Sequence, residues 1–449
     1  MLKSVSIKLR HKPQFFFPFV LFIFSLLERI WLLQAYQPIS YSDTYGSYFR
    51  LAGALASGGL RASDGTRVPG YPLLIALFNQ DVQSIWIFQL ALGLCITQLL
   101  YWMGWFTSRN ARLSFTLGLL YNLIPGQFLF ESNLLSETLT TFLILLAFLL
   151  LILVIRTKQP KQEMLSVFLL GIASSLPGMV RPVFFPITVW LLLFVFFKDA
   201  ANLRTRLYRG ALFSLAPLII QGGWILNIYS SYGMLSPTTM GGYSLVQHTG
   251  AFFELLPQDS SGIRDTYLEY RDARILERGV QTNTIWDAIP ALAEASGMNF
   301  FDLSREMKKL SLQLIKAHPG LYLKSVVDGW VTFWKAPVYW DASVMTAYGR
   351  GVMAIMALLG RLVSIAANIL FLLLSVLQIF LRRLRLTIFG DLVNQAVFGL
   401  IWLTSILQTL VDHGDNPRFL MPLQMIVIFL VLRAIWPTLL RKKLEAVAS

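Results

Sequence analysis

The chain has 449 residues, of which 55% are hydrophobic and 14% are charged, and its formal net charge is +14. Soluble domains carry about 25% charged residues, so a soluble fold that covers this much apolar side chain is excluded. Disordered and fibrous chains require low hydrophobicity or a short repeat, and this sequence has neither. The composition therefore predicts a polytopic membrane protein.

Cysteine and histidine usage restricts the metal chemistry that the chain can support. Cys95 is the only cysteine, which excludes a disulfide framework and any cysteine-based zinc or iron–sulfur site. The four histidines, His11, His248, His318 and His413, are too scattered for a helical HxxxH site. We expect no resident cofactor, and the sequence leaves a metal requirement open.

Long apolar segments predict about ten transmembrane helices in an all-α protein. They cover residues 15–36, 82–105, 113–130, 136–155, 164–180, 182–197, 210–229, 352–381, 388–411 and 417–436. The first segment lacks a clear A-x-A cleavage site, so we expect an uncleaved anchor. The predicted organisation is an N-terminal transmembrane module (1–229), a small, mainly helical periplasmic domain (230–349) and C-terminal transmembrane helices (350–449).

The basic residues predict the orientation of these segments. The N-terminal tail and the loops on its side of the membrane hold half of them: Lys3, Lys8, Arg10, Lys12, Arg109, Arg112, Arg156, Lys158, Lys161, Lys198, Arg204, Arg206, Arg209, Arg382, Arg383, Arg385, Arg441, Lys442 and Lys443. This positive-inside pattern predicts cytoplasmic termini. The same pattern accounts for the net positive charge, because these basic residues set the orientation of the protein in the membrane. We therefore expect no nucleic-acid partner. A bacterial inner membrane fits a chain without disulfides.

The first outer loop, residues 37–81, combines an acid, a surface helix and a rigid turn. Helical spacing over 44–57 places Tyr45, Tyr48 and Phe49 on one face, which predicts a helix lying on the membrane surface with its aromatic side down. Asp43 precedes this helix, where a carboxylate either caps free backbone N–H groups or serves a reaction. Arg67 begins Arg67-Val68-Pro69-Gly70-Tyr71-Pro72, which predicts a stiff, non-helical approach to the next apolar segment.

Several further charges stand at the predicted outer ends of membrane helices. Carboxylates near the hydrocarbon usually serve a partner or a site, so Glu131 and Glu137 are candidates, unless they only face water. Arg181 and Arg418 each adjoin a proline and present a planar fork that suits phosphate. The alternative for each arginine is snorkelling to the interface. Arg361 lies within a predicted helix, where pairing with a buried acid is an equal alternative.

The long outer segment, residues 230–349, contains two predicted amphipathic helices, over 265–278 and 301–318. His318-Pro319 is expected to end the second helix. Five aromatic residues then follow within a short stretch: Trp330, Phe333, Trp334, Tyr339 and Trp340. They indicate either a headgroup layer or a groove for a lipid chain. No Walker A or GxGxxG motif occurs, which argues against a nucleotide-binding domain.

The order of these features resembles the polyprenyl-phosphate-sugar-dependent membrane glycosyltransferases of the GT-C class. The likeness is to the protein mannosyltransferase and aminoarabinose transferase group, glycosyltransferase family 39. It covers most of the chain and rests on the shared order of motifs that are individually weak: Asp43 and Tyr48, Arg67-Val68-Pro69-Gly70-Tyr71-Pro72, Leu135-Ser136-Glu137-Thr138-Leu139, Gly171 through Arg181-Pro182, Gly223-Trp224 with Asn227, Gly233 and Pro237, His318-Pro319 with Tyr322-Leu323, and Arg418-Phe419-Leu420-Met421-Pro422.

The resemblance implies a GT-C bundle with a periplasmic active site. It implies a polyprenyl-phosphate sugar as donor, membrane lipids as partners, and an envelope lipid, glycan or protein as acceptor. In the family the first outer loop carries an essential acid, and Asp43 holds that place here, which implies a general base in an inverting single displacement. Many members have an acidic pair there, whereas Ser42 and Thr44 flank Asp43, which counts against a metal site in this loop.

The same reaction needs cations for the leaving phosphate and groups that orient the sugar. For the phosphate we predict Arg67, Arg181 and Arg418, with His413 as a weaker candidate. For the sugar or acceptor we predict Glu137 first and Glu131 second, together with Tyr48.

Two other functions remain open at this stage. One is a transporter or flippase for a lipid-linked sugar, although no internal repeat is visible and polar residues are sparse within the predicted helices. The other is a non-catalytic assembly partner in an envelope complex, for which Asp43 would be dispensable.

Overall fold

The computed structural model describes residues 13–336, 338–413 and 417–448. The basic N-terminal tail, His11, residues 414–416 of the predicted 412–416 hairpin, and the side chains of Arg441, Lys442 and Lys443 lie outside this description. Within it the protein is all-α, and the only strand-like feature is an isolated parallel bridge between Ile39 and Asn133.

Twenty α-helices occur among the described residues, numbered here in chain order. The first eleven are α1 Pro13–Ala35, α2 Arg50–Gly58, α3 Gly70–Leu77, α4 Val82–Ser108, α5 Ala111–Leu123, α6 Pro125–Phe128, α7 Glu137–Arg156, α8 Pro160–Val180, α9 Pro186–Phe197, α10 Leu203–Pro217 and α11 Gly223–Tyr232. The remaining nine are α12 Gly241–Thr249, α13 Ser261–Arg278, α14 Thr284–Ser296, α15 Phe300–Ala317, α16 Pro319–Phe333, α17 Ala347–Phe380, α18 Arg382–Phe389, α19 Leu392–Val411 and α20 Gln424–Ala448.

Short helical segments of other types connect these elements. Two are π-helical, Thr44–Phe49 and Leu218–Gly222. The others are 3-10 segments: Gly59–Ala62, Leu129–Ser132, Pro182–Phe184, Gly250–Leu255, Gln258–Ser260, Ala342–Val344 and Pro417–Leu423.

Eight helices in the described part are long and apolar enough to cross a membrane. They are Pro13–Ala35, Val82–Ser108, Glu137–Arg156, Pro160–Val180, Leu203–Tyr232, Gly349–Phe380, Leu392–Val411 and Arg418–Trp436. Each matches one of the segments predicted from hydropathy, because a stretch that crosses about 30 Å of hydrocarbon must be continuously apolar. The protein is therefore a polytopic, helical membrane protein.

The two other predicted membrane segments do not form single, straight helices of full membrane length. The segment predicted over 113–130 is broken, because α5 and the helical stretch Pro125–Ser132 meet at 69°. Pro125 cannot donate a helical hydrogen bond and disfavours helix at the residue before it, and Ile124 is accordingly extended. The segment Pro182–Phe197 is apolar but spans 16 residues, roughly 24 Å of helix, which is shorter than the usual requirement.

The surface helix predicted after Asp43 is present, with one change. It comprises the π-helix Thr44–Phe49 and α2, and it ends where Gly59 takes a positive φ of 62°. Tyr48 and Phe49 are buried and Tyr45 is 55% exposed, and the predicted contact of this face with the membrane stays a prediction. The wider π turn brings residues four apart into line, and the rings of Tyr45 and Phe49 lie 5.0 Å apart.

The turn that begins at Arg67 is less extended than predicted. Helix α3 starts at Gly70, so Tyr71 and Pro72 form its first turn, where a proline is tolerated. A Cβ added at Gly70 would lie 2.5 Å from the carbonyl oxygen of Met179. Glycine therefore allows α3 to pack directly on the end of α8, and this contact fixes the position of the residues before it.

Helices α12 to α15 pack around a hydrophobic cluster of their own, which contains Tyr243, Phe253, Tyr267, Leu292 and Met307. Both amphipathic helices predicted for this region are confirmed, as α13 and α15, and α15 ends before His318. The bounds predicted for a periplasmic domain, 230–349, remain a prediction.

The five aromatic residues in the last turn of α16 and in the stretch after it separate into two groups. Phe333 and Trp334 are buried; Trp334 stacks on Phe371, and Trp330 stacks on Trp402. These rings fill the junction of α16, α17 and α19, so they form packed core and not a groove for a lipid chain. Tyr339 and Trp340 lie elsewhere: Tyr339 packs against Tyr41 and Phe130, and Trp340 packs in the cluster that includes Leu32 and Tyr36.

The two ends of α8 carry separate groups of charges. Near its start, Glu163 accepts ion pairs from Lys198 and Arg209, both at 2.6 Å. Past its other end, Arg181 pairs with Glu137 at the start of α7. Lys198 and Arg209 belong to the predicted cytoplasmic loops, and Arg181 and Glu137 to the predicted outer face. The 21 residues of α8, roughly 30 Å of helix, separate the two groups.

Candidate active site

Asp43 lies between two arginines that come from distant parts of the chain. Its Oδ1 is 2.7 Å from Nη2 of Arg67, and its Oδ2 is 2.7 Å from Nη2 of Arg418. The carboxylate is 26% exposed, so it is held by both cations yet still reaches solvent. The interpretation of Asp43 as a helix cap is wrong, because its side chain makes no cap hydrogen bond and its own backbone is already helical.

Tyr48 supports the guanidinium group of Arg67. The Arg67 Cζ lies 5.6 Å from the centre of the Tyr48 ring, a cation–π distance, and Arg67 Nε donates to Ser47 Oγ at 3.4 Å. The Tyr48 ring also packs edge-on against Tyr71. Tyr48 is only 6% exposed, which leaves little surface for the sugar contact predicted for it.

Glu137 forms the buried floor of the site. It occupies the first turn of α7 with 1% of its side chain exposed, and its Oε1 pairs with Nη1 of Arg181 and lies 3.4 Å from Nε of Arg418. Arg181 also lies over the ring of Phe419, at 4.9 Å. Arg418 therefore bridges the exposed carboxylate of Asp43 and the buried carboxylate of Glu137.

These five residues, Asp43, Arg67, Glu137, Arg181 and Arg418, are named here the Asp43 cluster. Its two carboxylates face three guanidinium groups, so the cluster carries one excess positive charge. A site of this composition both accepts a proton at an exposed carboxylate and attracts an anion. The sequence predicted three functions for these residues, a base, phosphate ligands and a sugar or acceptor ligand, and the structure brings all five residues into one contact network.

The charges around Asp43 decide its protonation. Burial acts to raise its pKa, but the neighbouring Arg67 and Arg418, with a smaller effect of Arg181, outweigh burial and hold the pKa below its ordinary value of 3.8. Asp43 is therefore ionised at neutral pH and is ready to accept a proton.

Glu131 lies outside the Asp43 cluster, although the sequence grouped it with Glu137. It is completely buried, where it accepts hydrogen bonds from Arg29 Nε at 3.0 Å and from the Tyr121 hydroxyl at 2.8 Å. Arg29 also bonds Asn122 and Ser25. This closed network joins α1, α4 and α5. Glu131 therefore has no accessible surface for the sugar contact that was predicted for it.

His413 lies beside His248, with ring centres 5.7 Å apart. His248 is buried and its Nδ1 lies 2.9 Å from the Ser325 hydroxyl. His413 therefore lies next to the contact between α12 and α16. Its role in binding phosphate stays a prediction.

Two charged residues near these networks were not selected from the sequence. Arg29 could have been selected from the sequence, since it is an arginine inside the first apolar segment, where a charge needs a partner. Lys335 had none, because it follows α16 in a polar-looking stretch. It lines a small, partly open cavity together with Arg361 and Arg418.

The described residues contain no group of three His, Cys, Asp or Glu side chains that would hold a metal ion. Searches of protein-family models, curated proteins and solved structures find no match to this chain.

Proposed function

We propose that the protein is a membrane glycosyltransferase that moves a sugar from a polyprenyl-phosphate donor to an envelope lipid, glycan or protein. The observation that supports this most directly is the Asp43 carboxylate, partly exposed and held between Arg67 and Arg418. The ordered motifs that resemble the GT-C class point to the same activity. The positive-inside pattern of the loops favours a bacterial inner membrane with cytoplasmic termini and a periplasmic site.

The proposed reaction is a single in-line displacement. The acceptor oxygen or nitrogen attacks the anomeric carbon, the bond from that carbon to the phosphate oxygen breaks, and its electron pair leaves with the lipid phosphate. Asp43 accepts the acceptor's proton as the new bond forms. Attack and departure on opposite faces of the sugar predict inversion of the anomeric configuration.

The arginines would stabilise the charge that develops on the leaving phosphate. The transition state resembles an oxocarbenium ion with negative charge growing on the departing oxygen, and fixed cations at that oxygen lower the barrier without reorganisation. Arg418 suits this role because it is anchored by two carboxylates and borders the adjoining cavity. Glu137 acts through Arg418 and Arg181, which makes it a positioning residue and not a sugar ligand.

Substitution Asp43→Asn tests the proposal because it retains the shape of the side chain and removes the base. We expect at least a hundredfold loss of transfer in reconstituted membranes supplied with polyprenyl-phosphate sugars, measured by mass spectrometry of product and donor. The matched control is Asp259→Asn at an exposed position with no ion pair in the described structure, which should retain full transfer.

The donor is identified by the same method in cells. Deletion of the gene should leave one envelope product without a sugar and should raise the amount of one polyprenyl-phosphate sugar. Full transfer by Asp43→Asn would refute the assigned base. Movement of the intact donor across sealed vesicles, without any change in its bonds, would establish the flippase instead.

A further inference from the structure

The cavity beside Arg418 contains two cations that have no acidic partner. It lies between the bend after α5, the stretch after α16 and the middle of α17, and Lys335 and Arg361 line it. Neither side chain forms an ion pair or a hydrogen bond within the described residues, unlike the three arginines of the Asp43 cluster. The alternative that Arg361 pairs with a buried acid is therefore wrong for the described part of the chain.

Close packing fixes the backbone that carries both cations, while their side chains are exposed at the cavity. A Cβ added at Gly360 would lie 2.9 Å from Pro125 and 3.3 Å from Ile124, so glycine lets α17 approach the bend and carries Arg361 to the cavity wall. Lys335 stands between the buried residues Trp334 and Ala336, and its backbone N–H donates to the carbonyl of Thr332 at 3.1 Å.

A buried amide adds an independent sign of a missing ligand. Gln127 lines the same cavity, is 3% exposed, and its Oε1 has no hydrogen-bond partner in the described structure. Buried side-chain amides are normally satisfied. Its Nε2 contacts the carbonyl oxygen of Gly126 at 3.4 Å, so the atom that lacks a partner is an acceptor, which suits the O–H group of a singly protonated phosphate.

The surface of α17 beside the cavity indicates the kind of anion. Apolar side chains before and after Arg361 are largely exposed: Ile355 is 63% exposed, Leu358 60%, Leu359 56% and Leu362 54%. A large exposed apolar surface on a membrane helix is expected to face lipid. An anion that reaches the cavity past this surface is therefore expected to be carried by a lipid.

We propose that Lys335, Arg361 and Gln127 form a binding site for the phosphate group of a lipid, which reaches it sideways from the leaflet on the Asp43 side. Two unpaired cations and an amide acceptor match a singly protonated phosphomonoester in charge and hydrogen bonding. Arg418 is shared with the Asp43 cluster, so the lipid phosphate would sit on one side of Arg418 and Asp43 on the other. Assigning this phosphate to the glycosyl donor rests on the proposed function; the binding site itself does not.

Binding of farnesyl phosphate to the purified full-length protein in nanodiscs tests the site. We expect Lys335→Gln together with Arg361→Gln to weaken this binding at least tenfold. Arg361→Lys, which keeps the charge, should retain more affinity than Arg361→Gln. The control pair Lys324→Gln and Arg112→Gln changes exposed cations without ion pairs and should leave affinity unchanged. Equal thermal unfolding midpoints of all variants would show that folding is intact.

Three further ligands distinguish the possible sources of the bound phosphate group. Farnesol should bind without any dependence on the two cations. Loss of phosphatidylglycerol binding in parallel with farnesyl phosphate would support the site with ordinary phospholipid as the source. Unchanged affinity for farnesyl phosphate in the double variant, or inorganic phosphate bound as tightly as the lipid, would overturn the proposal.

The two proposals fail in different ways. Asp43→Asn should bind farnesyl phosphate at least as tightly as the wild type, because it removes a carboxylate that competes with the phosphate for Arg418. Retained lipid binding with no sugar transfer by the wild-type protein would reject the glycosyltransferase and leave the phosphate site standing. Transfer that continues at the wild-type rate in the double variant, with unchanged binding, would reject the phosphate site alone.

Discussion

At the scale of single residues, the functions of the three outer carboxylates are set by exposure and by the cations that each one meets. Asp43 reaches solvent and contacts two arginines, Glu137 is buried against two, and Glu131 is buried against one. All are carboxylates near one end of the membrane helices. Only Asp43 has both a charge partner and an exposed oxygen, which is what proton transfer to a substrate requires.

Glu137→Gln should destabilise the protein and reduce transfer. The buried Arg181 would lose its carboxylate partner, and Arg418 would lose one of its two carboxylate partners. Removing one partner of a buried pair costs about 3–5 kcal/mol. Thermal unfolding in detergent should show this loss. The matched control is Glu254→Gln, which breaks an ion pair with Arg271 in which Glu254 is 49% exposed; exposed pairs contribute about 1 kcal/mol or less.

A double variant separates pairing from other effects of Glu137. If the pair is the cause, Glu137→Gln with Arg181→Gln should cost less than the two single changes added together. Additive costs would contradict the assigned pairing.

At the scale of elements, glycines determine how closely the membrane helices approach the polar networks. Gly93 on α4 faces the carboxyl group of Glu131, and a Cβ there would lie 2.1 Å from that group. The carboxyl group is held by Arg29 and Tyr121, so it has no room to move. The absence of a side chain on α4 thus makes the Arg29–Glu131 pair possible.

Gly93→Ala should lower stability by about 1–3 kcal/mol, because the added methyl group forces the network apart. The matched control is Gly223→Ala in another membrane helix, where the added Cβ would have no atom within 4 Å. That change should be neutral or slightly stabilising, since alanine favours helix. Comparison of the two unfolding midpoints checks the prediction, and equal midpoints would show that the network yields to the methyl group.

At the scale of the whole molecule, a buried histidine joins the α12–α15 segment to the membrane helices. His248 on α12 lies against Ser325 and Tyr322 of α16 and against His413 after α19. Burial and, to a smaller extent, the nearby His413 lower its pKa from 6.5 to about 4, and backbone carbonyls of Thr409 and Asp412 partly oppose this shift. The folded protein therefore holds His248 neutral at neutral pH.

Acidification should loosen this junction within a defined pH range. The unfolded chain binds a proton at His248 below about pH 6.5, whereas the folded chain does so only below about pH 4. Stability should therefore fall as the pH drops from 6.5 to 4, by on the order of 3 kcal/mol in total. Asp43 acts in a lower range, because its depressed pKa contributes stability that is lost only below 3.8.

Hydrogen exchange of α12 at pH 7 and pH 4.5 measures this effect directly. Exchange should be faster at pH 4.5 after correction for the intrinsic rate. His248→Gln should remove the dependence between pH 6.5 and 4, whereas His318→Gln, at a partly exposed position, should leave it in place. A wild-type dependence that persists in His248→Gln would assign the effect to another group.

The sequence by itself determined which segments cross the membrane and which outer segments are amphipathic helices. Those properties are local, since continuous apolar length and the 3.6-residue period are written in neighbouring residues. It also selected Asp43, Arg67, Glu137, Arg181 and Arg418 for one site, through their shared end of the predicted membrane helices. The 69° break at Ile124-Pro125 was missed because hydropathy alone does not register a bend.

Only the tertiary structure decided which charges meet. Arg418 reaches Asp43 across 375 positions of sequence, and Glu131 and Glu137, six positions apart, pair with arginines on different helices. Such contacts depend on how closely helices pack, which at Gly70, Gly93 and Gly360 is set by a side chain that is absent. No periodicity encodes that distance, so the pairing of carboxylates and the two unpaired cations at the cavity emerge only when the helices are assembled.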